Sequence, residues 1–145
     1  MELKGIISIS GKSGLFKMVG QTKSGIIVES LEDGKRFPAY AAHKVSALED
    51  ISIYGYNEDR PLADIYEAIY KHEDGGKSVS ANASAQDQRD KLLEVFPEYD
   101  EDRVYSSDLK KLFKWYNMLV DNGFLKEAIE NADEDSKEDK SDEEE

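Results

Sequence analysis

The spacing of apolar residues changes near Pro61, and this change limits the possible folds more than any other feature of the chain. Upstream, apolar residues come in short runs or alternate with polar ones. The runs are separated by Ser10-Gly11-Lys12-Ser13-Gly14, by Lys23-Ser24-Gly25 and by Asp33-Gly34. Alternation places successive side chains on opposite faces of a strand, and glycine-containing turns join strands into hairpins. Downstream, Leu62, Ile65, Tyr66, Ile69 and Tyr70 recur at i, i+3, i+4, i+7 and i+8, the spacing of one helical face. Strands grouped first and helices grouped second predict an α+β protein.

The upstream block predicts strands over residues 3–9, 15–20, 26–31, 36 to about 40, and 51–56, with a single helical turn inside 43–50. Phe16 and Met18 are expected on one face of the second strand and Lys17 on the other. Pro38 cannot donate to a ladder and marks an edge or a bulge. On the last strand Ile51 and Ile53 point inward, leaving Tyr54 and Tyr56 outside. Five short strands with a helical turn before the last predict a small five-stranded Src-homology-3-like β barrel over residues 1–57. A unit of this size buries only about 60% of its extended surface, so it is expected to lean on the downstream block.

The downstream block, residues 58–132, predicts a three- to four-helix module. Pro61 suits a first helical turn, and the helix 61–72 ends before Gly75-Gly76. Residues 74–84 are small and polar and read as a linker or mobile loop. A helix over 85–96 turns Leu92, Leu93 and Phe96 inward and stops at Pro97. Ser107 is the expected cap of a helix over 108–121. That helix carries the stripe Leu109, Leu112, Phe113, Tyr116, Leu119 and Val120. Asn122-Gly123 closes it, and a short helix runs to about 132. Residues 133–145 hold nine acids, two lysines and no apolar residue, so a disordered acidic tail is expected there.

Charge and composition remove several function classes. The 145 residues carry a net charge of -13. There is no cysteine, hence no disulfide, thiolate metal site or cysteine nucleophile. No apolar run approaches the roughly 18 residues of a membrane span. The start, Met-Glu-Leu-Lys-Gly-Ile, lacks the pattern of a secretory signal, and a cytoplasmic setting with no membrane contact is expected.

Motifs that could carry chemistry fail on spacing. Gly11-Lys12-Ser13 and Gly76-Lys77-Ser78 lack the preceding glycine that a phosphate-binding loop requires. Counted from Asp100, the sixth and twelfth positions of a calcium loop would be Tyr105 and Lys111 in place of glycine and glutamate. His43 and His72 lack a nucleophile at diagnostic spacing. No catalytic residue, metal or cofactor is expected, and the chain reads as a non-enzymatic binding or adaptor protein with a macromolecular partner. Basic and aromatic residues interleave from Lys35 to Lys44, with Lys12, Lys17 and Lys23 in the turns. The expected binding residues are Arg36, Phe37, Lys44, Tyr54 and Tyr56 on the barrel, with Trp115 at the margin of the last long helical stripe. A protein partner is expected first. The alternative is an RNA-binding or ribosome-associated factor that stacks bases on the same basic-aromatic face.

Four stretches carry a resemblance: residues 1–12, Lys35-Arg36-Phe37-Pro38-Ala39, residues 43–54, and Val104-Tyr105-Ser106-Ser107-Asp108-Leu109-Lys110-Lys111. Together they resemble a family of small uncharacterised Bacteroidota proteins, over about residues 1–125. In that family an N-terminal domain of unknown function precedes a helical one. The resemblance implies a bacterial protein and supplies no activity, cofactor or site residue.

Overall fold

A computed structural model describes residue 3 and residues 5–12, 14–40 and 44–130. His43 and the acidic segment 133–145 lie outside the described residues. The strand-rich block forms a five-stranded antiparallel sheet of β1 (Ile6–Ile9), β2 (Phe16–Thr22), β3 (Gly25–Ser30), β4 (Arg36–Tyr40) and β5 (Val45–Ala47), in the order β4-β3-β2-β1-β5. The Asp33-Gly34 turn behaves as its sequence requires. Gly34 takes a φ of +73°, and the Asp33 carboxylate accepts from the Lys35 N–H at 2.9 Å. Pro38 sits in β4, an edge strand of the sheet.

Phe16 and Met18 stand two apart in a regular stretch of ladder, opposite Ser30 and Val28, and share a face as expected, although Met18 is 41% exposed; the register shifts only beyond it, between Met18 and Gly20. One expectation about the strands is corrected. The fifth strand is Val45–Ala47, paired with β1 as Ile7↔Ala47, Ser8↔Ser46 and Ile9↔Val45. The expected strand 51–56 is not in the sheet. A 3-10 turn, Leu48–Asp50, takes the chain out of the sheet and sinks Leu48 completely. The next residues form a separate two-stranded ribbon of β6 (Ser52–Ile53) and β7 (Arg60–Pro61). Ile51 and Ile53 are half-buried as expected, but against the main core on the helical side. β4 and β5 are the two edges of the sheet, and among the described residues no ladder joins them into a closed barrel.

Three helices follow: α1 (Leu62–His72), α2 (Ala85–Val95) and α3 (Ser106–Asp121); residues 124–130 are helical as well. Pro61 takes the cap position of α1 with φ -57°. Ser84 caps α2, its hydroxyl accepting from the Asp87 N–H at 3.1 Å. α3 starts before the predicted Ser107 cap. The Asp108 carboxylate reaches back to the Tyr105 N–H at 2.9 Å, which makes Tyr105 the boundary. Gly123, at φ +74°, breaks α3 from the helical stretch after it.

The loop 74–84 is not the free linker its composition suggests. The Tyr116 hydroxyl donates to the Gly76 carbonyl at 2.7 Å, and the Asn117 side chain bonds both Ser78 N–H (2.9 Å) and the Val79 carbonyl (3.0 Å). The Gln88 amide donates to the Ser80 carbonyl at 3.0 Å. These bonds tie the loop to α2 and α3.

The main core is shared between sheet and helices. Leu3, Ile6, Leu15 and Leu48 join the buried faces of α1, α2 and α3 in one cluster. The other face of the sheet has its own small cluster: Ile7, Ile9, Phe16, Val28 and Ala39. At the centre of the helices the fully buried Tyr66 hydroxyl donates to the Leu112 carbonyl at 2.8 Å, and its ring lies 5.7 Å from that of Tyr116. Burial pushes the Tyr66 phenol well above its ordinary pKa, so it stays a neutral donor.

Because Leu48 has no exposed surface and joins the two halves of the core, Leu48→Ala is expected to cost about 2–5 kcal/mol. Urea denaturation followed by Trp115 fluorescence and by far-ultraviolet circular dichroism checks this, with both signals moving to the same lower midpoint.

Candidate functional site

The ribbon β6–β7 packs beside the loop that leads into α3, and backbone bonds join the two. The Tyr56 N–H donates to the Glu98 carbonyl at 2.8 Å and the Asp100 N–H to the Tyr54 carbonyl at 2.9 Å, with Gly55 bridged to Tyr99. Gly55 leaves no room for a side chain, since a Cβ there would collide with the Glu58 carbonyl oxygen and the Phe96 ring. Arg103 locks the arrangement. Its Nε donates to Asp100 at 2.7 Å, its Nη2 donates to the Gly55 carbonyl at 3.2 Å, and its guanidinium lies 4.5 Å from the centre of the Tyr54 ring. The Arg103 guanidinium beside Asp100, helped by backbone N–H groups of Asp102 and Arg103, holds the Asp100 carboxyl below the usual range. Reciprocally, Asp100 pushes the Arg103 pKa up.

Next to this lock lies a pocket of about 250 Å³, lined on its apolar side by Ile51, Ile53, Tyr54, Leu112 and Trp115, with Arg103 and Lys111 among its polar groups. Trp115 is half-buried and also borders a second, wider concavity of about 640 Å³ between α3 and the sheet. That groove is lined by Lys12, Lys44, Lys111 and Lys114 and by the serines 8, 10 and 46; among the described residues no carboxylate lines it, though Glu32 lies 3.5 Å from Lys114. Lys111 and Trp115 are i and i+4 on α3 and line both concavities.

The expected binding residues divide accordingly. Tyr54, 47% exposed, meets Trp115 in the apolar pocket, and Lys44 meets Trp115 in the lysine groove. Tyr56 is 59% exposed, but its hydroxyl accepts from the Glu101 N–H at 3.3 Å and it lines neither concavity. Arg36 pairs with Glu29 directly across the β3–β4 ladder at 3.1 Å. Phe37 is half-buried against the small outer cluster, edge-on to Phe16 at 5.4 Å, with the Lys12 ammonium 4.8 Å from its centre. Sequence reasoning did not single out Arg103, Lys111 or Lys114. The i, i+4 spacing of Lys111 and Trp115 on a predicted helix was the available signal for Lys111. Arg103 had only an acidic neighbour three residues away.

Among the described residues no group of three or more His, Cys, Asp or Glu side chains is placed to hold a metal ion. No helix among them is long and apolar enough to cross a membrane.

Two family models match the chain in succession. Residues 3–48 match a domain of unknown function (DUF5606), and residues 51–119 match a second domain of unknown function (DUF6852). A solution NMR structure from Bacteroides vulgatus, a structural genomics target, is 46% identical. The match covers 84% of this chain and 88% of that one, with a TM-score of 0.69. The chain belongs to the Bacteroidota family in which these two domains follow one another. No curated protein matches it.

Asp100 has a lowered pKa in the folded chain, so its stabilising contribution is complete above the unfolded aspartate value near 4 and is lost as pH falls through the lower native value. Asp100→Asn is expected to be less stable than the wild type at pH 7, with the gap narrowing below pH 4. Denaturation midpoints of the two proteins across pH 7 to 2.5 measure this.

Proposed function

We propose that the chain is a non-enzymatic binding or adaptor protein that engages a protein partner through the two concavities around Trp115. The observation that carries this reading is Trp115 itself, half-buried on α3 between an apolar pocket and a lysine-lined groove. Half-buried tryptophans beside exposed tyrosines and arginines are where interfaces concentrate binding energy. The pocket, at about 250 Å³, suits one apolar side chain of a partner better than a free metabolite. Tyr54, stiffened by the Arg103 guanidinium, would form one wall, and Arg103 and Lys111 would pair with polar or acidic groups at the rim. The cytoplasmic setting belongs to this proposal and rests on the sequence reading.

The N-terminal sheet enters the proposal as a small SH3-like barrel opened between β4 and β5. The order β4-β3-β2-β1-β5, a meander whose last strand returns beside the first, supports that reading.

A second reading is favoured by the groove alone. Four lysines, with no lining carboxylate among the described residues, also suit the backbone of single-stranded RNA, with a base against Trp115. If all four neutralise phosphates, affinity falls with salt at a log–log slope of about -3, or roughly fifty-fold between 50 and 200 mM.

Affinity capture from a Bacteroidota lysate, with half the sample nuclease-treated, separates the two. The adaptor reading expects a defined protein partner that survives nuclease. Against that partner, Trp115→Ala and Tyr54→Ala should each weaken binding by about ten- to thirty-fold, while Arg36→Ala, remote from both concavities, should leave it unchanged. Loss of all recovered protein on nuclease treatment would replace this reading with the RNA one.

A further inference from the structure

We propose that the lysine groove is a docking surface for the chain's own acidic segment, residues 133–145. The contact deepens the proposed function, because a segment lying there would compete with a partner for Trp115. The contact itself is tested without any partner.

The groove gathers positive charge that the structure leaves largely uncompensated. Lys12 follows β1, Lys44 precedes β5, and Lys111 and Lys114 lie on α3. Lys114 reaches Glu32 at 3.5 Å, whereas Lys12, Lys44 and Lys111 have no carboxylate partner among the described residues. Like charges held together repel, and an anionic occupant relieves that repulsion. Serines 8, 10 and 46 add hydroxyl donors to the same wall.

The charge of the chain selects the occupant. A free polyanion approaching a molecule of net charge -13 is repelled beyond the short range over which four lysines act. Residues 133–145 carry nine acids and two lysines, a net of -7, and need no recruitment because they are covalently attached. A segment tethered in this way experiences an effective concentration on the order of 1 mM, so a contact too weak to persist between separate molecules is populated within one. Reach is sufficient. From Trp115 to residue 130 the chain follows the end of α3, one turn and the helical stretch 124–130, a path of about 30 Å at most. The fifteen residues after it span up to about 50 Å when extended.

Trp115 is the only tryptophan, so its fluorescence reports on a single position, the wall that the groove shares with the apolar pocket. The test compares the full chain with a full-length variant whose nine acidic residues in 133–145 are changed to the corresponding amides. A neutral quencher, acrylamide, avoids confusing shielding with electrostatics. At about 20 mM salt the Stern–Volmer constant of Trp115 should be about twofold larger in the amide variant, and the difference should vanish at about 0.5 M salt. The double substitution Lys12→Glu with Lys44→Glu, in a chain with its acidic segment intact, should give the larger constant. Equal constants for full chain and amide variant at low salt would overturn the proposal. A difference that disappears on hundredfold dilution would also overturn it, by assigning the segment to a second copy. Failure to capture a partner would sink the proposed function and leave these constants untouched, so the two failures are distinguishable.

Discussion

Burial of Leu15 and Leu48 against the helices is the contact on which the molecule depends. The strand-rich block is too small to enclose a full core, and one face of its sheet would otherwise lie open. Leu15 enters the main core where the chain turns into β2, and its N–H meets the Met118 sulfur of α3 at 3.4 Å. Leu48 enters from the 3-10 turn at the far end of the sheet. Ile51 then accepts the Leu62 N–H at 2.9 Å, tying the exit of the turn to the start of α1. The site arises from this seam. Trp115 borders both the ribbon residues beyond Leu48 and the turn that precedes Leu15, and the two concavities lie where sheet and helices meet without filling the space between them.

Polar bonds inside the helical part do a different task from the apolar seam. Tyr66 spans α1 to α3, and Tyr116 and Asn117 hold the connection between α1 and α2 against α3. Tyr116 and Asn117 satisfy backbone groups that the irregular segment would otherwise leave without a partner, whereas Tyr66 donates to a carbonyl inside α3. Arg103 plays the equivalent part at the ribbon, joining a carboxylate, a carbonyl and an aromatic face. The wall of the pocket is therefore held in place without an occupant, and under the proposed function this would lower the ordering cost of binding.

The helices were legible because a stripe such as Leu109, Leu112, Phe113, Tyr116 and Leu119 has one explanation, a face turned to a core. The sheet was legible as a count of hairpins and less so in register. Val45–Ala47 is only three residues long and two of them are exposed, so no alternation announces it. Ile51 and Ile53 alternate equally well in a barrel strand and in a ribbon packed on helices. The loop 74–84 read as a linker because its restraints come from Asn117 and Tyr116, some forty positions away. At the site, Tyr54 and Trp115 were visible as aromatics off their element's buried face, and Lys44 as part of a basic run. Lys111 carried only its i, i+4 spacing to Trp115, and Arg103 acquires meaning only from the ribbon folded beside it. Phe37 shows the converse: it is aromatic and set between basic residues, yet its ring packs edge-on to Phe16 against the outer cluster.

The two clusters also differ in how they resist local opening. The outer one contains only five buried side chains, and β4 closes it from an edge. The main cluster runs through every long helix. Amide hydrogens of β4 and the neighbouring half of β3 should therefore exchange through openings that spare the rest, and those in the middle of α3 only when the whole molecule unfolds. Trp115 and Lys111 stand on α3, so motion at the outer edge of the sheet would leave the two concavities undisturbed.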